Sequence, residues 1–158
     1  MKVFSKYLIL LLFTTPLYAA PMQETQPREF QEQELIDLFF AASRTGNQEV
    51  VHEFLKSGFP VNVRNSDHYT ALMVAAYHGQ KEIVTTLLQY GADRCLRDSK
   101  GHTAVMGAIV KAEWSIAKQL KSTDCDAKAK KDGQLTTEAF AKVFGQEQRL
   151  EKLLSQPE

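Results

Sequence analysis

The sequence has no excess of either charge, with 19 basic and 19 acidic side chains. A polyanion such as DNA therefore finds no net electrostatic attraction, and the chain is not expected to bind nucleic acid. The chain also lacks a glycine-rich phosphate loop, a G-x-S-x-G turn around a nucleophilic serine and a paired-carboxylate signature. These absences predict a protein that is not an enzyme and that uses no cofactor.

Metal-ligating side chains are also few, since the chain has only four histidines and two cysteines. His68 and His102 lie 34 residues apart in the sequence, and no third ligand with suitable spacing accompanies them. Cys95 and Cys125 have the spacing of neither a C-x-x-C redox motif nor a metal site. We therefore predict that no metal is bound and that the histidines are scattered on the surface.

The N-terminal apolar run, residues 7–13, is much shorter than the 20 or so residues of a membrane-spanning helix. It follows two lysines and precedes a stretch that ends in small residues, which is the arrangement of a secretory signal. We predict a signal peptide at residues 1–19, cleaved after Ala19, with an uncleaved anchor as the alternative. Its short length is more typical of bacteria, so we expect a periplasmic or secreted protein without membrane insertion after cleavage.

Residues 20–34 are rich in Gln, Glu and Pro and contain almost nothing to bury. They predict a flexible, solvated linker that turns helical near Phe30. The remaining part, residues 35–154, has the size of one domain.

That domain repeats with a period of 33 residues. The segment "QEVVHEFL" from Gln48 aligns with "KEIVTTLL" from Lys81, "WSIAKQLK" from Trp114 and "EQRLEKLL" from Glu147. Each unit predicts a short helix behind a capping threonine, a glycine turn, and a second helix with apolar residues at helical spacing. The four units span about residues 35–65, 66–98, 99–131 and 132–154.

The motifs "TALMVAA" from Thr70, "GQKEIVTTLLQYGAD" from Gly79 and "DSKGHTAVMGAIV" from Asp98 resemble the ankyrin repeat. The resemblance implies an all-α solenoid of about four helix-turn-helix units joined by β-hairpin-like loops. The family's proline and histidine are replaced in both central units, the histidine by Met73 and Met106. The fourth unit has lost most of the pattern, as a terminal repeat does when its outer face meets water.

The resemblance implies a protein–protein interaction module, whose partner the sequence does not identify. One alternative is a secreted effector that acts on a target outside the producing cell. A more distant one is a small thiol-redox protein that uses Cys95 and Cys125.

Family resemblance also places the partner-facing positions, at the hairpin tips and at the ends of the first helices. The tip residues are Ser66, Asp67, Tyr69, Lys100 and His102, and the helix-end residues are Arg44, Tyr77, His78 and Lys111. We expect Tyr69, Tyr77, His78 and His102 to form the main patch, because interfaces favour large amphipathic side chains. Each of them could instead be an ordinary solvated residue.

Two further features have alternative interpretations. Trp114, the only tryptophan, aligns with a position that is normally exposed, so its indole either anchors a partner or covers a local gap beside Ala112. Cys95 and Cys125 could pair in an oxidising compartment. Adjacent repeat layers are about 8 to 10 Å apart, whereas a disulfide needs Cα atoms within about 7 Å, so pairing requires a favourable offset.

Overall fold

The computed structural model describes residues 28–155, and in that part the chain is built from helices joined by turns. The helices are α1 (Arg28–Thr45), α2 (Gln48–Lys56), α3 (Ala71–Tyr77), α4 (Lys81–Gln89), α5 (Ala104–Val110), α6 (Trp114–Leu120), α7 (Thr123–Lys131), α8 (Thr137–Val143) and α9 (Glu147–Leu154). Four pairs repeat in register, namely α1 with α2, α3 with α4, α5 with α6, and α8 with α9. The expected all-α ankyrin-type solenoid is confirmed.

Neighbouring pairs stack with first helix against first helix and second helix against second helix. The first helices form one row, with α1 on α3, α3 on α5 and α5 on α8, and the second helices form another, with α2 on α4 and α4 on α6. Small side chains allow the close approach within the first row: Ala71, Ala75 and Ala76 in α3 have no exposed surface. The buried stripe of α4 includes Ile83 and Leu87.

Threonines begin the first helices as the sequence predicts. The hydroxyl of Thr70 accepts from the backbone N–H of Met73 at 3.3 Å, and Thr136 accepts from Ala139 at 3.2 Å. Thr103 occupies the same position at α5, where its own N–H donates to the sulfur of Met106 at 3.5 Å. Met106, which stands in the place of the family's histidine, thus contacts the start of its own helix.

The hairpin-like loops are tighter than strands. Within residues 28–155 the ladder is reduced to a single antiparallel bridge between Arg64 and Thr70. Side chains organise the turns instead: Asn65 Oδ1 accepts from the N–H of Tyr69 at 2.9 Å, and Asp98 Oδ1 accepts from that of His102 at 2.8 Å. We call residues 64–70 and 97–103 the first and second tips.

The helical onset expected near Phe30 agrees with α1, which begins at Arg28 inside the segment predicted as a linker, and residues 20–27 lie outside the described residues. One expectation about the connecting segments was wrong. The third connection was expected to be an extended loop like the two tips, but it is the helix α7. Acidic residues in the first turn of α7 and three lysines in its last turn suit the helix dipole, and this explains why the segment is helical.

The predicted signal peptide, residues 1–19, lies outside the described residues. Among the helices that are described, none is long and apolar enough to cross a membrane.

Candidate functional site

The row of first helices carries a groove of about 460 Å³ that five of the predicted residues line. Its walls come from α1, α3, α5 and α8 and from the two tips. The predicted residues in it are Arg44, Tyr69, Tyr77, His78 and His102. The repeat therefore brings side chains from three units to one surface.

The ends of the first helices form a regular series along this groove, which we call the helix-end row. It consists of residues at 33-residue intervals: Arg44, Tyr77, Val110 and Val143, each followed by Thr45, His78, Lys111 or Phe144. Four members expose large apolar side chains, with Tyr77 at 44%, Val110 at 38%, Val143 at 77% and Phe144 at 49%. An exposed apolar series of this kind is typical of an interaction surface.

Sequence reasoning missed the aromatic end of the groove. Phe140 and Phe144 line it on the fourth unit, with ring centroids 4.6 Å apart, and Phe140 also meets the ring of His102 edge-on at 5.4 Å. Adding 33 to Val110 and Lys111 leads directly to Val143 and Phe144. The prediction stopped at the third unit because the fourth departs from the repeat pattern.

Positive charge gathers at the helix-end side of the groove. Burial lowers the pKa of His78, and the nearby cations Arg44 and Lys111 lower it further. The ammonium of Lys111 also lies 5.0 Å from the ring centroid of Tyr77, as a cation–π contact requires. Lys111 thus lies at the rim of the groove and is not one of the residues that line it.

The tip side of the groove has one carboxylate among its lining residues, Asp98. Burial raises the pKa of Tyr69, and the carboxylates of Asp98 and Asp67 raise it further. Asp98 is almost fully buried, with its side chain 3% exposed, and its second oxygen lies 3.2 Å from Nδ1 of His102. The tips also carry Arg64, Arg97 and Lys100, so they have no acidic excess, whereas the helix-end edge carries Arg44 and Lys111.

Three predicted tip residues lie outside the groove. Ser66, Asp67 and Lys100 are exposed at the tips and do not line the cavity. The tips contact each other through the backbone, since the N–H of Ser99 donates to the carbonyl of Asp67 at 3.0 Å. These side chains can contribute only at the rim of a groove-centred interface.

The surroundings of Trp114 agree with the interpretation in which the indole covers a local gap. The side chain is partly buried against the core, and its Nε1 is buried without a hydrogen-bond partner among the described residues. The guanidinium of Arg149 lies 5.8 Å from the ring centroid. Ala112, just before this helix, adopts a φ of 58°, where the equivalent Gly79 has 73°. Trp114 therefore packs against a modified turn, and its role as a partner anchor stays a prediction.

Cys95 and Cys125 are joined by a disulfide, with Cα atoms 5.2 Å apart. The offset that the pairing requires comes from α7, because Cys125 lies in the first turn of this helix and not in an extended loop. The next residue, Asp126, accepts hydrogen bonds from the N–H and the hydroxyl of Thr137, at 2.8 and 2.9 Å. The disulfide thus ties the second unit to α7, and the carboxylate of Asp126 ties α7 to the start of α8.

A second cavity, of about 620 Å³, lies between α7, α8 and α9 and contains none of the predicted partner-binding residues. Both of its carboxylates have partners within the protein: Glu138 lies 3.6 Å from Lys130, and Asp126 accepts from Thr137 at the start of α8. In the described part of the chain, no group of three or more His, Cys, Asp or Glu residues could hold a metal ion. The groove along the helix-end row therefore remains the site that best fits the predicted residues.

Comparison with known families supports the same interpretation. The family model "Ankyrin repeats (3 copies)" matches residues 38–131, which is more than half of the chain. The match ends with α7 and leaves out the fourth helix pair. Among the curated proteins, none matches the chain. Ankyrin repeats are generally protein–protein interaction modules and are typically non-catalytic, and with more than half of its length matched this chain belongs to the ankyrin repeat family.

Proposed function

We propose that the chain is an exported, non-catalytic module that docks a partner protein in the groove beside the helix-end row. The observation that carries this proposal is the convergence of Arg44, Tyr77 and His78 with the exposed apolar residues Val110 and Phe144. Tyr and Arg are the residues that interface hot spots favour, and they are most effective when apolar neighbours exclude water around them.

Exposure of these side chains supports a role other than holding the fold. Tyr77 and Phe144 are each nearly half exposed, while the cores of α3 and α8 are closed by other side chains such as Leu72 and Phe140. Exposing such rings to water costs free energy. A partner that covers them recovers about 25 cal/mol for each Å² of apolar surface that is buried. The groove is therefore better suited to a bound polypeptide than to solvent.

Export rests on two features. Residues 1–19 have the arrangement of a secretory signal, and the Cys95–Cys125 disulfide is of the kind that persists in oxidising compartments such as the bacterial periplasm. Mass determination of the protein from the periplasmic fraction tests this: the expected mature chain begins at Ala20. A chain that keeps residue 1 and remains in the cytoplasm would contradict export.

Site-specific photo-crosslinking in living cells tests the docking surface. A benzoylphenylalanine at Val110 is expected to capture one specific partner, because this position edges the groove and is 38% exposed. The matched control places the same crosslinker at Lys118, an exposed position on the second-helix row. Equal capture at both positions would refute the groove as the docking surface.

A double substitution adds an independent check on the same experiment. Tyr77→Ala with His78→Ala removes two groove side chains but keeps every Cβ, including the one at Tyr77 that packs toward Gly107. Capture at Val110 is expected to fall severalfold while the circular dichroism spectrum stays unchanged. Full capture by this folded variant would mean that the partner binds elsewhere.

A further inference from the structure

The helix-end row changes its chemistry from one end of the solenoid to the other. Its first three units supply Arg44, His78 and Lys111, whereas the third and fourth supply Val110 and Phe144. The positive charges of the row are thus Arg44 and Lys111 in the first and third layers, the second layer offers the rings of Tyr77 and His78, and the last two layers are apolar at Val110 and Phe144. A partner that matches it has to carry the complementary order of groups.

We infer that the groove binds a polypeptide segment with a carboxylate at one end and a bulky apolar side chain at the other. The carboxylate lies beside Arg44, His78 and Lys111, and the apolar side chain packs on Val110 and Phe144. The inference rests on the proposed function and specifies the partner's chemistry at the same site.

The position of the charged groups indicates where the carboxylate goes. Asp98, the one carboxylate among the groove-lining residues, lies at the tip edge, where it accepts from the N–H groups of Lys100 and His102 and presents a like charge to an acid. Arg44 lines the helix-end edge and Lys111 lies over the ring of Tyr77 beside it, so this edge would attract the acid. The edges are separated by the seven residues of α3, about 10 Å at 1.5 Å per residue.

One acid approaches the basic edge from within the protein. A Cβ placed on Gly79, the residue after His78, would stand 2.9 Å from Oε1 of Glu113. Arg44 and Lys111 supply two positive charges at this edge against the single carboxylate of Glu113, so its formal charge stays positive.

The apolar end has the form of a shelf. Phe144 is 49% exposed and lies against the buried ring of Phe140, which in turn meets His102. A partner side chain placed here gains contact with aromatic faces that are already held in position.

The length of the segment follows from the repeat. Four layers about 8 to 10 Å apart, with three spacings between them, place the ends of the row about 24 to 30 Å from each other. An extended chain advances about 3.3 Å per residue, so about seven to nine residues reach from the first unit to the fourth. A random 12-residue peptide is therefore long enough to report the preference.

Selection from a phage-displayed library of random 12-residue peptides on the purified protein tests the inference. We expect the enriched peptides to combine Asp or Glu with Phe, Trp, Leu or Ile, and to bind less tightly as salt increases. Enrichment of basic or purely polar peptides would overturn the inference. Failure to enrich any peptide over bare resin would overturn it too.

Two matched pairs of variants locate the binding of an enriched peptide. Arg44→Glu with Lys111→Glu is expected to weaken it about tenfold, because two favourable ion pairs become repulsive. Lys118→Glu with Lys128→Glu makes the same charge change at exposed positions outside the groove and should leave affinity unchanged. Equal effects from both pairs would show that binding reflects net charge alone and would contradict the inference.

A matched pair of single substitutions tests the apolar end of the groove. Phe144→Ala is expected to weaken binding about fivefold, and Leu154→Ala, 44% exposed beside the other cavity, should not. NMR titration provides a direct readout, because a bound carboxylate raises the pKa of His78. An unchanged His78 pKa at saturation would place the acid elsewhere.

Failure of this inference and failure of the proposed function give different results. A partner captured in cells through Val110, whose bound segment has no acidic residue, would uphold docking and refute the acidic–apolar assignment. Failure to capture any specific partner through Val110, in contrast, would refute the proposed function itself.

Discussion

Removing the Cys95–Cys125 disulfide should destabilise the protein by a large share of its folding free energy. The bond closes a loop across 30 residues of sequence. With ΔS of about −2.1 − 1.5R ln 30, or roughly −12 cal/mol/K, the constraint on the unfolded chain is worth about 3.6 kcal/mol at 25 °C. Small domains are stable by only about 5 to 15 kcal/mol, so the effect should be easy to measure.

Urea unfolding followed by circular dichroism measures this contribution. Cys95→Ser with Cys125→Ser should lower the midpoint by about 1.5 to 2 M, for a slope of about 2 kcal/mol/M. Reductant should bring the wild type to a similar midpoint and should leave the double variant unchanged, which controls for any effect of the reductant itself. A midpoint shift below about 0.3 M in the double variant would refute the loop-closure reasoning.

Three further changes test the turns, the α7 connection and the terminal unit. Ala112→Gly should stabilise the fold by about 1 kcal/mol, because φ is 58° at this position. Gly79→Ala should destabilise it by at least as much, since φ is 73° and the new Cβ would meet Glu113. The urea midpoints of the two variants should therefore shift in opposite directions. Asp126→Ala should cost about 1 to 3 kcal/mol through two lost hydrogen bonds, whereas Asp124→Ala on the exposed side should stay within about 0.5 kcal/mol. Ending the chain at Lys131 should cause aggregation, because it uncovers the face of α5 that α8 covers, and a monomeric product that unfolds cooperatively would contradict this.

The solenoid was predictable because a sequence pattern that repeats implies a local structure that repeats with the same period. Once Thr70 aligned with Thr103 and Thr136, helix starts, turns and buried stripes followed from the 33-residue period. The same period placed Arg44, Tyr77 and His78 on one surface, because equivalent positions of stacked units face the same way. Their grouping in the groove needed no knowledge of any individual contact.

The third connection was mispredicted because register was given more weight than local composition. Segment 123–131 aligns with a loop, but its alanines and lysines are good helix formers and its charges are ordered as a helix dipole prefers. Those local signals were present in the sequence and outweigh the pattern of the neighbouring units.

Trp114 shows the opposite limit. The sequence left its indole as either a partner anchor or the cover of a local gap, and the contact with Arg149, 35 residues later in the chain, could not be read from the repeat. Contacts between units at such separations depend on the exact stacking of layers, which a repeat pattern alone does not specify.

The disulfide also decides how the molecule would respond to force. Helices α5 and α6 both lie between Cys95 and Cys125, so the bond encloses them in a covalent ring. Tension applied at the two ends of the chain would pass directly through the two sulfurs, and the enclosed unit would carry none of it. About 100 Å of contour length, at 3.3 to 3.6 Å per residue, would stay hidden from a stretched molecule until the bond was reduced.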